Sequence, residues 1–336
     1  MITEIAEARE ALGARVNETL GQTRKKAFNK LMEVGVRTSF LDKFADSVAQ
    51  RLPRLVQVQG LTPEFTSKFL DLTRINMVPE VVIGHFSHLD HVVVSHFCHK
   101  LKSLTEEAGL GDNLNGFVET LARSVSEGQQ SVFMMGIYSR MEAYAKERDL
   151  EFIQITRDED VERYGMSKKI SERRLLVNRL REKGIGLLVP AGGSVQPGRH
   201  PKGASGDQIF GLQEILDTDI LDLYDLMKRL GSHSNQEPYF LPLAVDKTYR
   251  IYNVDSLLPT PEGLFSIYAP SRILDLLDFL RVGISITPAM PLTPEDMAKN
   301  LGSNWRSNSK ESVDFLMTEI ARNLPPNARG YYGRFV

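Results

Sequence analysis

The reading of this chain turns on residues 81–91, Val81-Val82-Ile83-Gly84-His85-Phe86-Ser87-His88-Leu89-Asp90-His91. Three aliphatic residues closed by a glycine read as the end of a buried strand. Val92, Val93, Val94 and Phe97 then begin the apolar face of a helix expected over about 89–104. A polar cluster just beyond a strand's carboxyl end is where open α/β sheets place their ligand sites. His85 and Asp90, with four residues between them, suit a base and its orienter: an imidazole that takes a proton, and a carboxylate that fixes the tautomer and stabilises the imidazolium.

Two other readings of the stretch stand beside the dyad. His85, His88, Asp90 and His91 are a candidate ligand set for a metal, because His88-Leu89-Asp90-His91 resembles the second half of the metallo-β-lactamase motif His-x-His-x-Asp-His. That motif has a histidine where this chain has Phe86, and only His200 and His233 lie beyond His99 to complete a set. The third reading makes these residues helix-start polar groups and satisfied histidines. His96 and His99 read as helix-face residues rather than ligands.

The chain has 336 residues, enough for one large domain or two modest ones. With 42% hydrophobic and 25% charged residues it has the composition of a globular protein. A net charge of -2 argues against a whole-protein nucleic-acid footprint. The single cysteine, Cys98, allows no intrachain disulfide and no thiolate zinc cluster, which suits a reducing compartment. No apolar run approaches the roughly 20 residues of a membrane span, and residues 1–5 lack the basic and apolar regions of a signal peptide. A cytoplasmic location is expected, with peripheral membrane contact left open.

Residues 1–75 read as a helical N-terminal domain, with Ser39 and Thr62-Pro63-Glu64 as helix starts. Residues 76–336 read as an α/β domain. Strands are expected at 81–84, 150–155, 185–189, 239–245 and 282–286. Helices are expected at about 114–125, 138–146, 170–183 with Gly184 as its C-cap, 220–230, 273–279, from Thr293 onward, and around 313–320. Residues 249–252 read as a continuation of the sheet, and periodicity leaves 132–138 undecided between strand and buried helix. Two strand ends attract attention. Arg157 comes after the strand at 150–155, and a guanidinium there suits a phosphate. Gly192-Gly193-Ser194 comes after the strand at 185–189, where glycine lets the backbone approach a ligand closely.

These landmarks lie in an order that resembles the glycerolipid acyltransferase family, most of all its soluble plastid-type glycerol-3-phosphate acyltransferases, which also carry an N-terminal helical domain. His85-x4-Asp90 matches the family's first block. Val189-Pro190-Ala191-Gly192-Gly193 is similar to that subgroup's Ala-Pro-Ser-Gly-Gly, and Leu241-Pro242-Leu243-Ala244-Val245 looks like the fourth block. The resemblance covers roughly residues 75–330. It implies a mixed sheet flanked by helices, His85 as general base, Asp90 as its partner, and no cofactor beyond an acyl thioester co-substrate, acyl-CoA or acyl-acyl carrier protein. It also implies an acceptor of the glycerol 3-phosphate or lysophosphatidate type. At two positions where the subgroup has arginine this chain has Ser194 and Gln196, which leaves Arg157, Lys168, Arg199 and Arg140 as the cations for a phosphate and keeps another alcohol open as acceptor. The rival functions are a metallohydrolase built on the histidine cluster and a non-catalytic acyl-binding protein.

Overall fold

The computed structural model describes residues 54–84, 90–122, 142–191, 212, 214–215, 219–232, 235–246 and 283–336. Seven strands form one sheet: β1 (Val56–Val58), β2 (Met77–Gly84), β3 (Gly116–Ala122), β4 (Leu150–Ile155), β5 (Ile185–Ala191), β6 (Glu237–Asp246) and β7 (Ile284–Pro288). Their order across the sheet is β1-β7-β6-β2-β5-β3-β4. The pairs β6–β2, β2–β5, β5–β3 and β3–β4 are parallel. β7 runs antiparallel to β6, and β1 runs parallel to β7, so the sheet is mixed.

Parallel neighbours require crossovers, and the crossovers here are helices. On one face lie α1 (Pro63–Arg74) and α2 (Asp90–Glu107), whose Phe65, Phe69, Val93 and Phe97 meet Val81, Ile83, Leu241 and Leu243. The other face carries α4 (Met166–Leu180), α5 (Asp219–Gly231), α6 (Pro294–Leu301) and α7 (Ser309–Arg322), which come after a one-turn α3 (Val161–Tyr164). Their Leu176, Tyr224, Met297 and Leu316 cover Val78, Val82, Leu187 and Phe240. β2 is buried along its whole length, as a strand paired on both edges and covered on both faces must be.

The helix starts obey the sequence signals. Thr62 accepts the Phe65 N–H at 3.2 Å with Pro63 in the first turn, and Thr293 and Asp296 form a reciprocal capping box. Three expectations are corrected. Residues 116–122 form strand β3 rather than part of a helix over 114–125, because Phe117, Val118 and Leu121 are buried between two parallel neighbours. Gly184 is not the C-cap of α4, which ends at Leu180; its φ of +75° instead turns the chain into β5. The stretch 54–75 is not a separate helical unit, since Val56–Val58 pairs with Ile284–Ile286 and α1 packs in the sheet's own core. The remainder of the expected N-terminal domain, and the expected elements at 132–138, 249–252 and 273–279, lie outside the described residues.

Glu80 stands in the middle of β2, opposite Leu187 and Phe240, on the face covered by Tyr224, Phe240 and Trp305. It is wholly buried, and among the described residues neither carboxyl oxygen has a hydrogen-bond partner. Burial, followed by the charge of Asp225, pushes its pKa well above the ordinary 4.5. The folded chain therefore keeps a proton that the unfolded chain releases above its ordinary carboxyl range, so stability falls as pH rises from there toward the folded value. Glu80→Leu is expected to raise unfolding stability by about 1–3 kcal/mol, with a larger gain at pH 8 than at pH 5 in urea titrations. A gain independent of pH would show that Glu80 carries no retained proton.

Candidate active site

The parallel register gathers the sequence landmarks at one edge. Gly84 lies opposite Ala191, and Ile83 lies opposite both Pro190 and Leu243. Glu119 lies opposite Leu188, and Ala122 opposite Ile155, so the carboxyl ends of β2, β3, β4 and β5 fall close to one line. Three of these ends lead straight into the residues singled out by the sequence: His85 after β2, Thr156-Arg157 after β4, and Gly192-Gly193 after β5. β5 is the immediate neighbour of β2, one strand spacing of about 4.8 Å away. β4 lies three spacings from β2, about 14 Å. The end of β5 at Ala191 is thus one strand away from the end of β2 at Gly84, whereas Arg157 follows a strand three places away.

Asp90 opens α2, and it is wholly buried. A carboxylate in the first turn meets the positive end of the helix macrodipole, which favours negative charge there. Its neighbour His91 is turned beneath the helix onto β3, where Nδ1 contacts Glu119 Oε1 in a buried pair. Burial alone would lower the His91 pKa, but the charges of Glu119 and then Asp90 outweigh it and raise it above the ordinary value. His85 and His88 lie outside the described residues, as do Gly192, Gly193, Ser194 and Arg199. Among the described residues no group of three or more His, Cys, Asp or Glu side chains could hold a metal ion.

His96 and His99 are face residues. The Tyr144 hydroxyl and His96 Nε2 are hydrogen-bonded at 2.7 Å, and burial, then Arg148, pushes the His96 pKa down to about 4. His99 pairs with Asp149 at 2.9 Å at the turn into β4. Cys98 is buried, and that burial raises its thiol pKa well above the ordinary value, so it is no thiolate nucleophile.

The turn that carries Arg157 is held from below. Glu172, buried on α4, accepts the Thr156 backbone N–H at 2.6 Å, and Lys169, one turn earlier on the same helix, pairs with Asp158. Arg157 itself is exposed between these two anchored residues. Lys168 is exposed on the first turn of α4, at the same end as Arg157 because its neighbour Lys169 reaches Asp158. Asp90, Arg157 and Lys168 therefore share the carboxyl edge. Glu119, Lys169 and Glu172 were missed by sequence reasoning. No local pattern marks the first of them, since Phe117-Val118-Glu119-Thr120-Leu121 fits a helix as well as a strand.

No protein-family model matches the chain, and a search of curated proteins finds no match. Among the described residues no helix is long and apolar enough to cross a membrane.

If the anchored turn presents Arg157 to an anion, Arg157→Ala is expected to weaken binding of glycerol 3-phosphate about tenfold by calorimetry. Glu172→Ala should weaken it in the same direction, and adding it to Arg157→Ala should cost nothing more. An unchanged Kd in Arg157→Ala would make Arg157 a solvated surface charge.

Proposed function

We propose that the chain is an O-acyltransferase that moves a fatty acyl group from an acyl thioester to the hydroxyl of glycerol 3-phosphate or a related lipid precursor. The observation that supports this reading most is the placement of Asp90. It is wholly buried at the first turn of α2, five residues past His85, after the central strand and beside the strand end that leads to Gly192-Gly193. The resemblance of the sequence blocks supplies the reaction class, and the shared edge supplies a reason for their order.

The residues then take these roles. An alcohol has a pKa far above neutral and is a weak nucleophile, so His85 removes its proton as the oxygen attacks the thioester carbonyl carbon. Asp90 orients His85 and stabilises the imidazolium. Backbone N–H groups around Gly192-Gly193 are the candidates to receive the developing oxyanion. The tetrahedral intermediate collapses, the carbon–sulfur bond breaks, and the proton passes from His85 to the departing thiolate. The products are an ester and a free thiol, so no acyl-enzyme and no redox step is needed. Arg157 and Lys168, with Arg199, hold the acceptor's phosphate. The lipid product has to leave into a bilayer, which makes peripheral membrane contact part of the proposal.

The test is acceptor-dependent thiol release from a long-chain acyl-CoA and from an acyl-acyl carrier protein. Wild type and His85→Ala are compared with glycerol 3-phosphate, lysophosphatidate and unphosphorylated alcohols. The reading predicts release that requires an acceptor and falls by at least about a hundredfold in the variant, the scale of a lost general base. Release unchanged in His85→Ala would remove the base assignment. Hydrolysis abolished by a chelator and restored by zinc or manganese would favour the metallohydrolase reading instead.

A further inference from the structure

The pair between His91 and Glu119 is out of place by the ordinary rules of a core. Glu119 projects from β3 between Leu188 and Phe152, its register partners, onto the face where Cys98 and Phe117 are also buried. One oxygen meets His91 Nδ1, and the other is buried without a hydrogen-bond partner among the described residues. The His91 ring also lies edge-on to Phe152, with ring centroids 6.3 Å apart. Replacing such a pair by apolar side chains of similar volume is usually neutral or stabilising, so stability gives it little reason to exist. It does have a direction, which the packing around it lacks. Val92, Val93, Val94 and Phe97 hold α2 against the sheet by non-directional apolar contact, which tolerates small rolls and slides of a helix. A hydrogen bond from the first turn of α2 to the backbone-anchored β3 does not. Asp90 precedes His91 by one residue, so fixing the azimuth of His91 fixes that of Asp90.

We propose that the His91–Glu119 pair is a positioning device that sets where Asp90, the proposed orienter, stands. This proposal rests on the acyltransferase reading of His85 and Asp90. Neither His91 nor Glu119 touches substrate. Their contribution is to the rate of the chemical step and not to binding, because a misplacement of the orienter well below 1 Å leaves the substrate pockets intact while degrading the reactive geometry.

The experiment uses the full chain and three variants, Glu119→Gln, Glu119→Leu and the double variant His91→Leu/Glu119→Leu. Each is measured for urea unfolding midpoint, kcat, and KM for donor and acceptor. Glu119→Gln keeps an amide oxygen to accept the His91 Nδ1–H, and it should retain kcat within about threefold. Glu119→Leu should lose roughly tenfold or more in kcat with both KM values within about twofold. The double variant should unfold at or above the wild-type midpoint and still show the kcat loss, which keeps the test valid if Glu119→Leu alone folds poorly. A double variant with wild-type kcat overturns the proposal. So does one whose kcat and unfolding midpoint fall together, since that makes the pair purely structural. Wild type with no acceptor-dependent thiol release overturns the acyltransferase reading and this proposal together, whereas active wild type with an active double variant overturns this proposal alone.

Discussion

The parallel pairing of β2 with β5 on one side and β6 on the other is the constraint on which the rest depends. A parallel strand returns to the same end of the sheet each time, so residues far apart in sequence are delivered to one edge. Residues 84, 155 and 191 close their strands at that edge, so three strand ends far apart in sequence lie along one line. Were β2 antiparallel to β5, Gly84 and Ala191 would stand at opposite ends of a strand of about seven residues, over 20 Å apart. The alignment of these strand ends is therefore a consequence of topology before any side-chain chemistry.

Two buried carboxyl groups show how the sheet's faces differ. Glu80 projects toward the helical layer of α5 and α7, has no hydrogen-bond partner among the described residues, and has its pKa raised by burial. Glu119 projects toward α2 and meets His91 beside Asp90. The same residue type, one on each face, thus has opposite surroundings. Only the second lies beside the start of α2, where its partner is one residue from Asp90.

The apolar core of the sheet was legible in the sequence because parallel strands covered on both faces read as continuous aliphatic runs. Val81–Gly84, Ile185–Ala191 and Tyr239–Val245 are such runs, and each is a strand at nearly the expected place. β3 was not legible: Phe117, Val118 and Leu121 fit one face of a helix as well as a strand, and only pairing with β4 and β5 decides between them. β1 has three residues, too few for any period, which is why 54–75 read as part of a helical unit. Around the candidate site, the strand ends at Gly84 and Ile155 and the helix start near Asp90 were legible from the apolar runs that flank them. The partnership of His91 with Glu119 joins residues 28 apart through a strand whose type was itself misread, and that of Glu172 with Thr156 joins a helix to the turn before it. Both are products of tertiary packing with no local pattern.

The central claim is that one carboxyl edge of the sheet holds the acyl donor and acceptor. It is tested most directly by amide hydrogen exchange on the full chain, with and without a non-hydrolysable acyl thioester analogue plus glycerol 3-phosphate. The account predicts added protection in segments around Gly84–His91, Thr156–Asp158 and Ala191–Ser194, with no change at the amino ends of the strands. Protection confined elsewhere would contradict it, for example at the groove on the opposite helical layer lined by Leu301, Phe315 and Phe335.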